Sequence, residues 1–216
     1  MPLLKREPEI WPPHLFGEPG GDAVEPSAAR AAAALHRPPR PLFVGGSARE
    51  ADRWWVAHTR SRHEKALARH LLHCEIPFYL PQREHRIRAG DRWRTSHVAL
   101  FPGYVFFHGD LHDRLLALRS NVIFKLIPAP APGELQTQLR SLWLLQMTGE
   151  PLVPHPYIAP GDEVEILAGA LRGYRGVVLR DKGRYRLVVS ITLLRQSVAT
   201  EIDRDVLAPT ALRKVG

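Results

Sequence analysis

The sequence predicts an α+β protein with two folded parts behind a proline-rich leader. Three observations carry that expectation. Strand-like and helix-like segments alternate over about a hundred residues from Arg53, roughly the span of one small domain. Pro151, Pro154, Pro156 and Pro160 then interrupt the pattern as a stiff linker. After them come only short strand-like runs punctuated by Gly173, Gly176 and Gly183, the texture of a small closed β-barrel. The expected divisions are a leader over 1–50, a first domain over 51–148, a linker over 149–158 and a barrel over 159–210.

Residues 1–50 hold nine of the chain's 20 prolines, among them Pro12-Pro13 and Pro38-Pro39. Each proline removes a backbone donor and fixes φ, so this stretch buries too little apolar surface to offset its chain entropy. It is expected to be largely disordered, with a short helix over Ser27–Leu35 where alanine is dense.

From Arg53 the texture changes. Trp54-Trp55-Val56-Ala57-His58-Thr59 suits a pleated surface and reads as a strand. Ser61-Arg62-His63-Glu64 has the form of a capping box, followed by Leu67, Leu71 and Cys74 at helical spacing until Pro77. Phe78–Leu80 reads as a strand, and residues 83–99 as a hairpin turning at Ala89-Gly90-Asp91. Phe101–Phe107 is the next strand, Asp110–Arg119 a short helix, Val122–Ile127 a strand and Glu134–Met147 a helix. Beyond the linker, Val164 and Ile166 alternate with Glu163 and Glu165, giving one dry and one wet face. Val177–Leu179, Leu187–Val189 and Ala199–Ile202 complete the strand set.

Composition narrows the setting. The formal net charge is +8, and the leader is balanced at six basic and six acidic residues, so the whole excess lies in 51–216. Such an excess favours a polyanionic neighbour. The single cysteine, Cys74, cannot form an internal disulfide, which points to a reducing compartment. No basic segment precedes an apolar one at the start, and no apolar run is long enough to cross a bilayer. A cytoplasmic monomer with no membrane partner is expected.

No set of residues forms a constellation able to carry chemistry, and catalysis is not expected. His63, His70, His73 and Cys74 gather near one helix, but zinc needs three or four converging ligands and no CxxC or HExxH accompanies them. Neither metal nor cofactor is expected, and no catalytic residue is assigned. The hairpin carries Arg83, Arg86, Arg88, Arg92 and Arg94 against Glu84 and Asp91. With a three-residue turn Arg88 would oppose Arg92, a like-charge pair that a phosphate backbone would relieve; with a Gly90-Asp91 turn it would oppose Trp93. Solvated edge charges that prevent aggregation are the competing reading. The run Phe101-Pro102-Gly103-Tyr104-Val105-Phe106-Phe107 is either a core strand or an exposed docking surface.

Two motifs in this order, Phe101–Phe107 and Gly169-Ala170-Leu171-Arg172-Gly173-Tyr174-Arg175-Gly176-Val177-Val178, resemble those of the NusG family of transcription elongation factors. The second resembles the KOW motif, with Gly173 and its signature glycine Gly176. The resemblance covers residues 53–210 and implies an antiparallel sheet flanked by helices, then a five-stranded SH3-like barrel. It implies an apolar pocket for the clamp helices of the RNA polymerase β′ subunit, with Phe101, Tyr104 and Phe106 docking and Val105 and Phe107 facing inward. One of Trp54 and Trp55 lines that pocket, Trp54 being the candidate, and the other packs inside.

In resembling proteins the hairpin lies near upstream DNA, which makes Arg86, Arg88, Arg92 and Arg94 candidates for contact with upstream or non-template DNA. The barrel is expected to recruit a ribosomal protein or RNA through Ile191, Leu193 and Leu194. Where housekeeping relatives carry Phe-Gly for the ribosomal partner or Rho, this chain has Leu194-Arg195. That departure points to a specialised, RfaH- or LoaP-like processivity or antitermination factor. The alternatives are a housekeeping NusG and a KOW-bearing ribosomal or RNA-binding protein.

Overall fold

The computed structural model describes residues 9–13, 15–17, 53–89, 92–158, 163–166, 171–181, 184–202 and 212–215. Their contacts group into two units. One comprises Met1–Leu15, Val24–Leu80 and Pro102–Ala129; the other comprises Phe16–Ala23, Pro81–Phe101 and Pro130–Gly216. The hairpin and the helix before the linker thus group with the C-terminal strands, rather than with a first domain ending at residue 148.

The first unit is built on an antiparallel sheet in the order β1-β3-β6-β2-β7. Its strands are β1 (Ile10–Trp11), β2 (Arg53–Thr59), β3 (Phe78–Tyr79), β6 (Tyr104–Gly109) and β7 (Ile123–Pro128). Helix α1 (Glu64–His73) buries Leu67, Ala68 and Leu71, and α2 (Leu111–Leu118) buries Asp113 and Ala117. The two helices contact each other and β6. They are tied by His70, whose Nε2 lies 2.8 Å from the Leu116 carbonyl oxygen. Asp110 caps α2 reciprocally: its carboxylate accepts the Asp113 N–H at 2.9 Å, while the Asp113 carboxylate accepts the Asp110 N–H at 3.2 Å.

Two expectations change here. Part of the leader is structured: Ile10 pairs with Tyr79 and Trp11 with Phe78, and Leu15 and Phe16 are fully buried. Pairs of apolar residues between prolines suffice to anchor chain on a sheet edge, where a missing donor costs least. The helix expected over 27–35 lies outside the described residues. The capping box at Ser61 does not form; His63 is the N-cap and makes no side-chain cap bond.

In the second unit, β4 (Gln82–Ala89) and β5 (Arg92–Ala99) form a separate two-stranded ribbon. The remaining strands form one antiparallel sheet in the order β13-β9-β10-β11-β12-β8, comprising β8 (Val153–His155), β9 (Glu163–Ile166), β10 (Arg175–Asp181), β11 (Arg184–Ile191), β12 (Gln196–Ile202) and β13 (Leu212–Val215). Among the described residues the order is open, with β13 and β8 at its ends. The expected closed five-stranded barrel is therefore not what these pairings form.

The expected linker is itself fastened to this sheet, since β8 pairs with β12 through Ser197 opposite His155 and Ala199 opposite Val153. An edge strand tolerates Pro154 because its missing N–H faces no neighbour. Helix α3 (Pro132–Met147) starts on proline at its first turn, where the donor is dispensable, and packs on β10 and β11. Leu187, Val188 and Val189 are all buried, so successive residues of β11 are covered on both faces of the strand.

Candidate docking surface

Both faces of the first sheet carry buried residues, and this decides which rings reach solvent. The register places Trp54 opposite His108, Val56 opposite Phe106 and His58 opposite Tyr104, so these six share one face. Trp55 lies opposite Phe107 on the other face, stacked on it at 6.4 Å, with the guanidinium groups of Arg53 and Arg114 each 5.7 Å from a Trp55 ring centroid. The Trp55 indole N–H donates to the Gly109 carbonyl at 3.0 Å.

Of the residues expected to dock a partner, Trp54 and Phe101 are 1% exposed and Phe106 is fully buried. This corrects the docking role expected of those three. Trp54, Val56 and Phe106 on one face and Trp55, Val105 and Phe107 on the other are all buried, so alternation along β2 and β6 sorts these residues between two buried patches. Val105 and Phe107 face inward as expected, and Trp54 and Trp55 are both core.

Tyr104 is the exception. It is half-buried and stacks on His58 with ring centroids 4.9 Å apart and planes 16° from parallel. The Phe124 ring meets His58 edge-on at 5.6 Å and is 75% exposed. The β2–β7 ladder explains that ring. His58 pairs with Lys125 and Thr59 with Ile123, leaving Phe124 as the extra residue of a bulge. A bulge re-aims a side chain at a sheet edge, and here it accompanies an aromatic left in water. Tyr104, His58 and Phe124 thus form a continuous surface of three rings, bordered by the exposed Lys125.

The turn before Tyr104 is held from two sides. Gly103 has φ +84° and its N–H donates to Glu64 Oε1 at 2.6 Å. Its carbonyl accepts from the Thr59 N–H at 2.8 Å. A Cβ at Gly103 would sit 3.3 Å from the His58 ring, so glycine supplies both the left-handed backbone and room for the His58–Tyr104 stack.

The register of β4 and β5 is the one expected with Trp93, not Arg92, opposite Arg88. Arg88 opposes Trp93, Ile87 opposes Arg94 and Ala89 opposes Arg92. Arg88 and Arg92 are not paired across the ladder, so no like-charge repulsion between them calls for a phosphate. Arg86 and Arg88 share a face with Trp93, and positions 92 and 94 belong to the other.

In the C-terminal sheet, Gly173 has φ +83° and a Cβ there would overlap the Arg140 guanidinium. A Cβ at Gly176 would overlap the Val188 carbonyl and the Tyr174 hydroxyl, which donates to that carbonyl at 2.9 Å. Of the expected partner loop, Ile191 is fully buried and is corrected to a core residue, since it is the last ladder position of β11 opposite Gln196. Leu193 and Leu194 are half-exposed in a single 3-10 turn, Thr192–Leu194. Gln138 of α3 holds that turn, donating from Nε2 to Thr192 Oγ1 at 2.7 Å and accepting the Thr192 N–H at 3.1 Å.

Among the described residues no group of three His, Cys, Asp or Glu side chains converges as metal ligands, and no helix is long and apolar enough to cross a membrane. His58 and Phe124 were missed in the sequence. An aromatic beside Lys125 in a strand was the available signal, but alternation assigns Phe124 to the core together with Leu126.

A search of curated proteins finds no match to this chain. Among solved structures, a chain of Thermotoga maritima NusG, from work on its domain interaction, is 17% identical, with a TM-score of 0.38 over 77% of this chain and 98% of that one. Residues 52–132 match the family described as "NusG: Transcription termination factor nusG". The stretch that carries the strands β2–β7 and the Tyr104 surface is thus similar to the NusG family.

Proposed function

We propose that this protein binds RNA polymerase through the Tyr104–His58–Phe124 surface and raises the processivity of elongation. The observation that carries the reading is an aromatic patch held by a preformed turn, inside the stretch that matches the NusG family. Large rigid rings at the centre of an interface supply most of its energy at low entropic cost. The pocket expected for the β′ clamp helices becomes a smaller surface, because Trp54, Phe101 and Phe106 are core. Binding there acts by differential affinity for the closed, elongating enzyme, and no bond is made or broken. The reading is of a binding protein, not an enzyme, at work in the cytoplasm.

The C-terminal unit, carrying the KOW-like turn at Gly173–Gly176, would offer Leu193 and Leu194 to a ribosomal protein or RNA. Leu194-Arg195 in place of Phe-Gly favours a specialised antitermination factor over a housekeeping one. Transcription in vitro separates the two. Readthrough of pauses without stimulation of Rho-dependent release is expected, and strong stimulation of release would overturn the specialised reading.

A further inference from the structure

Helix α2 turns its apolar side outward. Its buried residues are Asp113 and Ala117, whereas Leu111 and Leu115 are 44% and 54% exposed and Leu118 is half-buried. The three leucines follow at i, i+4 and i+7, so they form one stripe along the solvent side. A single exposed leucine is ordinary, but an aligned set on a helix that turns a carboxylate inward marks a docking surface. Basic groups border the stripe. His112 and Arg119, both exposed, lie along one side and Arg114 along the other. Arg114 is fixed at that edge, its guanidinium 5.7 Å from a Trp55 ring centroid. Neither arginine makes an ion pair among the described residues, while Asp110 and Asp113 cap the helix reciprocally.

We propose that α2 docks an acidic amphipathic helix of a protein partner, whose apolar side chains pack on the three leucines while its carboxylates meet Arg114 and Arg119. Helical spacing of the leucines suits a helix, because ridges of side chains three and four apart interdigitate with those of a neighbour. Charge selects its chemistry. A second copy of this chain would lay one basic-edged stripe on another, and like charges across a contact are repelled. A phosphate backbone would meet the arginines and leave the leucines in water. Carboxylates on either side of an apolar stripe satisfy both parts of the surface at once. Arg114 lies against Trp55, whose face of the sheet is the one away from Tyr104, His58 and Val56. This surface is therefore separate from the one assigned to polymerase, and the inference does not rest on that reading.

The test uses the full chain without polymerase. The probe is a helical peptide, stapled to hold its helix in water, with leucines at i, i+3, i+4 and i+7 and glutamates on both borders; its counterpart carries lysines in place of the glutamates. Affinities are measured by calorimetry for wild type, Leu111→Gln/Leu115→Gln and Arg114→Glu/Arg119→Glu, all confirmed folded. Wild type should bind the glutamate peptide about tenfold or more tighter than the lysine peptide, and less tightly as salt rises. The leucine variant should lose about tenfold or more in affinity for the glutamate peptide. The charge-reversed variant should prefer the lysine peptide. No binding of the glutamate peptide, equal affinity for both peptides, or binding untouched by the leucine variant would overturn the proposal. So would leucine-dependent binding to phosphatidylglycerol vesicles in preference to the peptide, which would make α2 a lipid contact.

Discussion

Glu64 Oε1 accepts the Gly103 N–H at 2.6 Å, so the first residue of α1 holds the turn that presents Tyr104. The contact replaces the expected capping role of Glu64 and couples the helix to the aromatic surface. Hydrogen bonds to a charged partner contribute about 1.5–3 kcal/mol, and the loss falls on a part-buried donor here. Glu64→Ala should therefore lower stability in urea unfolding by an amount in that range. Glu64→Gln, which keeps an acceptor, should recover about half of it. Equal stability of wild type and Glu64→Ala would show that the turn holds itself.

Gly173 faces the Arg140 guanidinium, whose Nε donates to the Phe16 carbonyl at 3.3 Å and whose Nη1 donates to the Arg172 carbonyl at 3.5 Å. Gly173→Ala forces a side chain into a left-handed backbone, at about 1–2 kcal/mol, and pushes a buried cation off its acceptors. The expected loss exceeds about 2 kcal/mol in urea unfolding. An alanine substitution at Gly133, where a Cβ would meet nothing within 4 Å, is the control and should be neutral or stabilising.

Much of this was legible from residue order, and the gaps share a cause. β2, α1 and α3 follow from aromatic density, apolar spacing and proline punctuation, which are local signals. Gly173 and Gly176 carried a readable demand for backbone approach, and the structure supplies the obstructing groups. The burial of Trp54, Phe101, Phe106 and Ile191 was not readable. Alternation reports which residues share a face, but what covers that face is a tertiary fact. The Phe124 bulge depends on a one-residue slip between β2 and β7, which no local pattern encodes. Likewise Ile10-Trp11 and Val153–His155 are too short to stand out among prolines, yet each finds an edge strand to pair with.

Burial raises the Tyr79 phenol well above its ordinary value, and the Glu9 carboxylate nearby adds to the shift. A raised phenol stays protonated in the folded chain while the unfolded chain ionises near pH 10, so this contribution is intact below about pH 10 and is lost as pH rises beyond it. Thermal midpoints measured from pH 8 to 11 should fall more steeply for wild type than for Tyr79→Phe. Parallel curves would mean that Tyr79 ionises in both states alike.

Phe106 and Tyr104 sit two residues apart on one face, and their substitution should separate core from surface. Phe106→Ala should cost about 3–5 kcal/mol of stability, as expected for an emptied core site. Tyr104→Ala, at a half-exposed position, should cost under about 1.5 kcal/mol in the same urea titration. A Tyr104→Ala loss as large as that of Phe106→Ala would place Tyr104 in the core and remove it from any interface.

Affinity for purified RNA polymerase, compared among wild type, Tyr104→Ala, Phe124→Ala and the double variant, all confirmed folded, bears most directly on the docking surface. Each single change should weaken binding by about 2 kcal/mol or more, roughly thirtyfold, and the double variant should bind at background. Wild-type affinity in the folded double variant would contradict the assignment of polymerase binding to the Tyr104–His58–Phe124 surface.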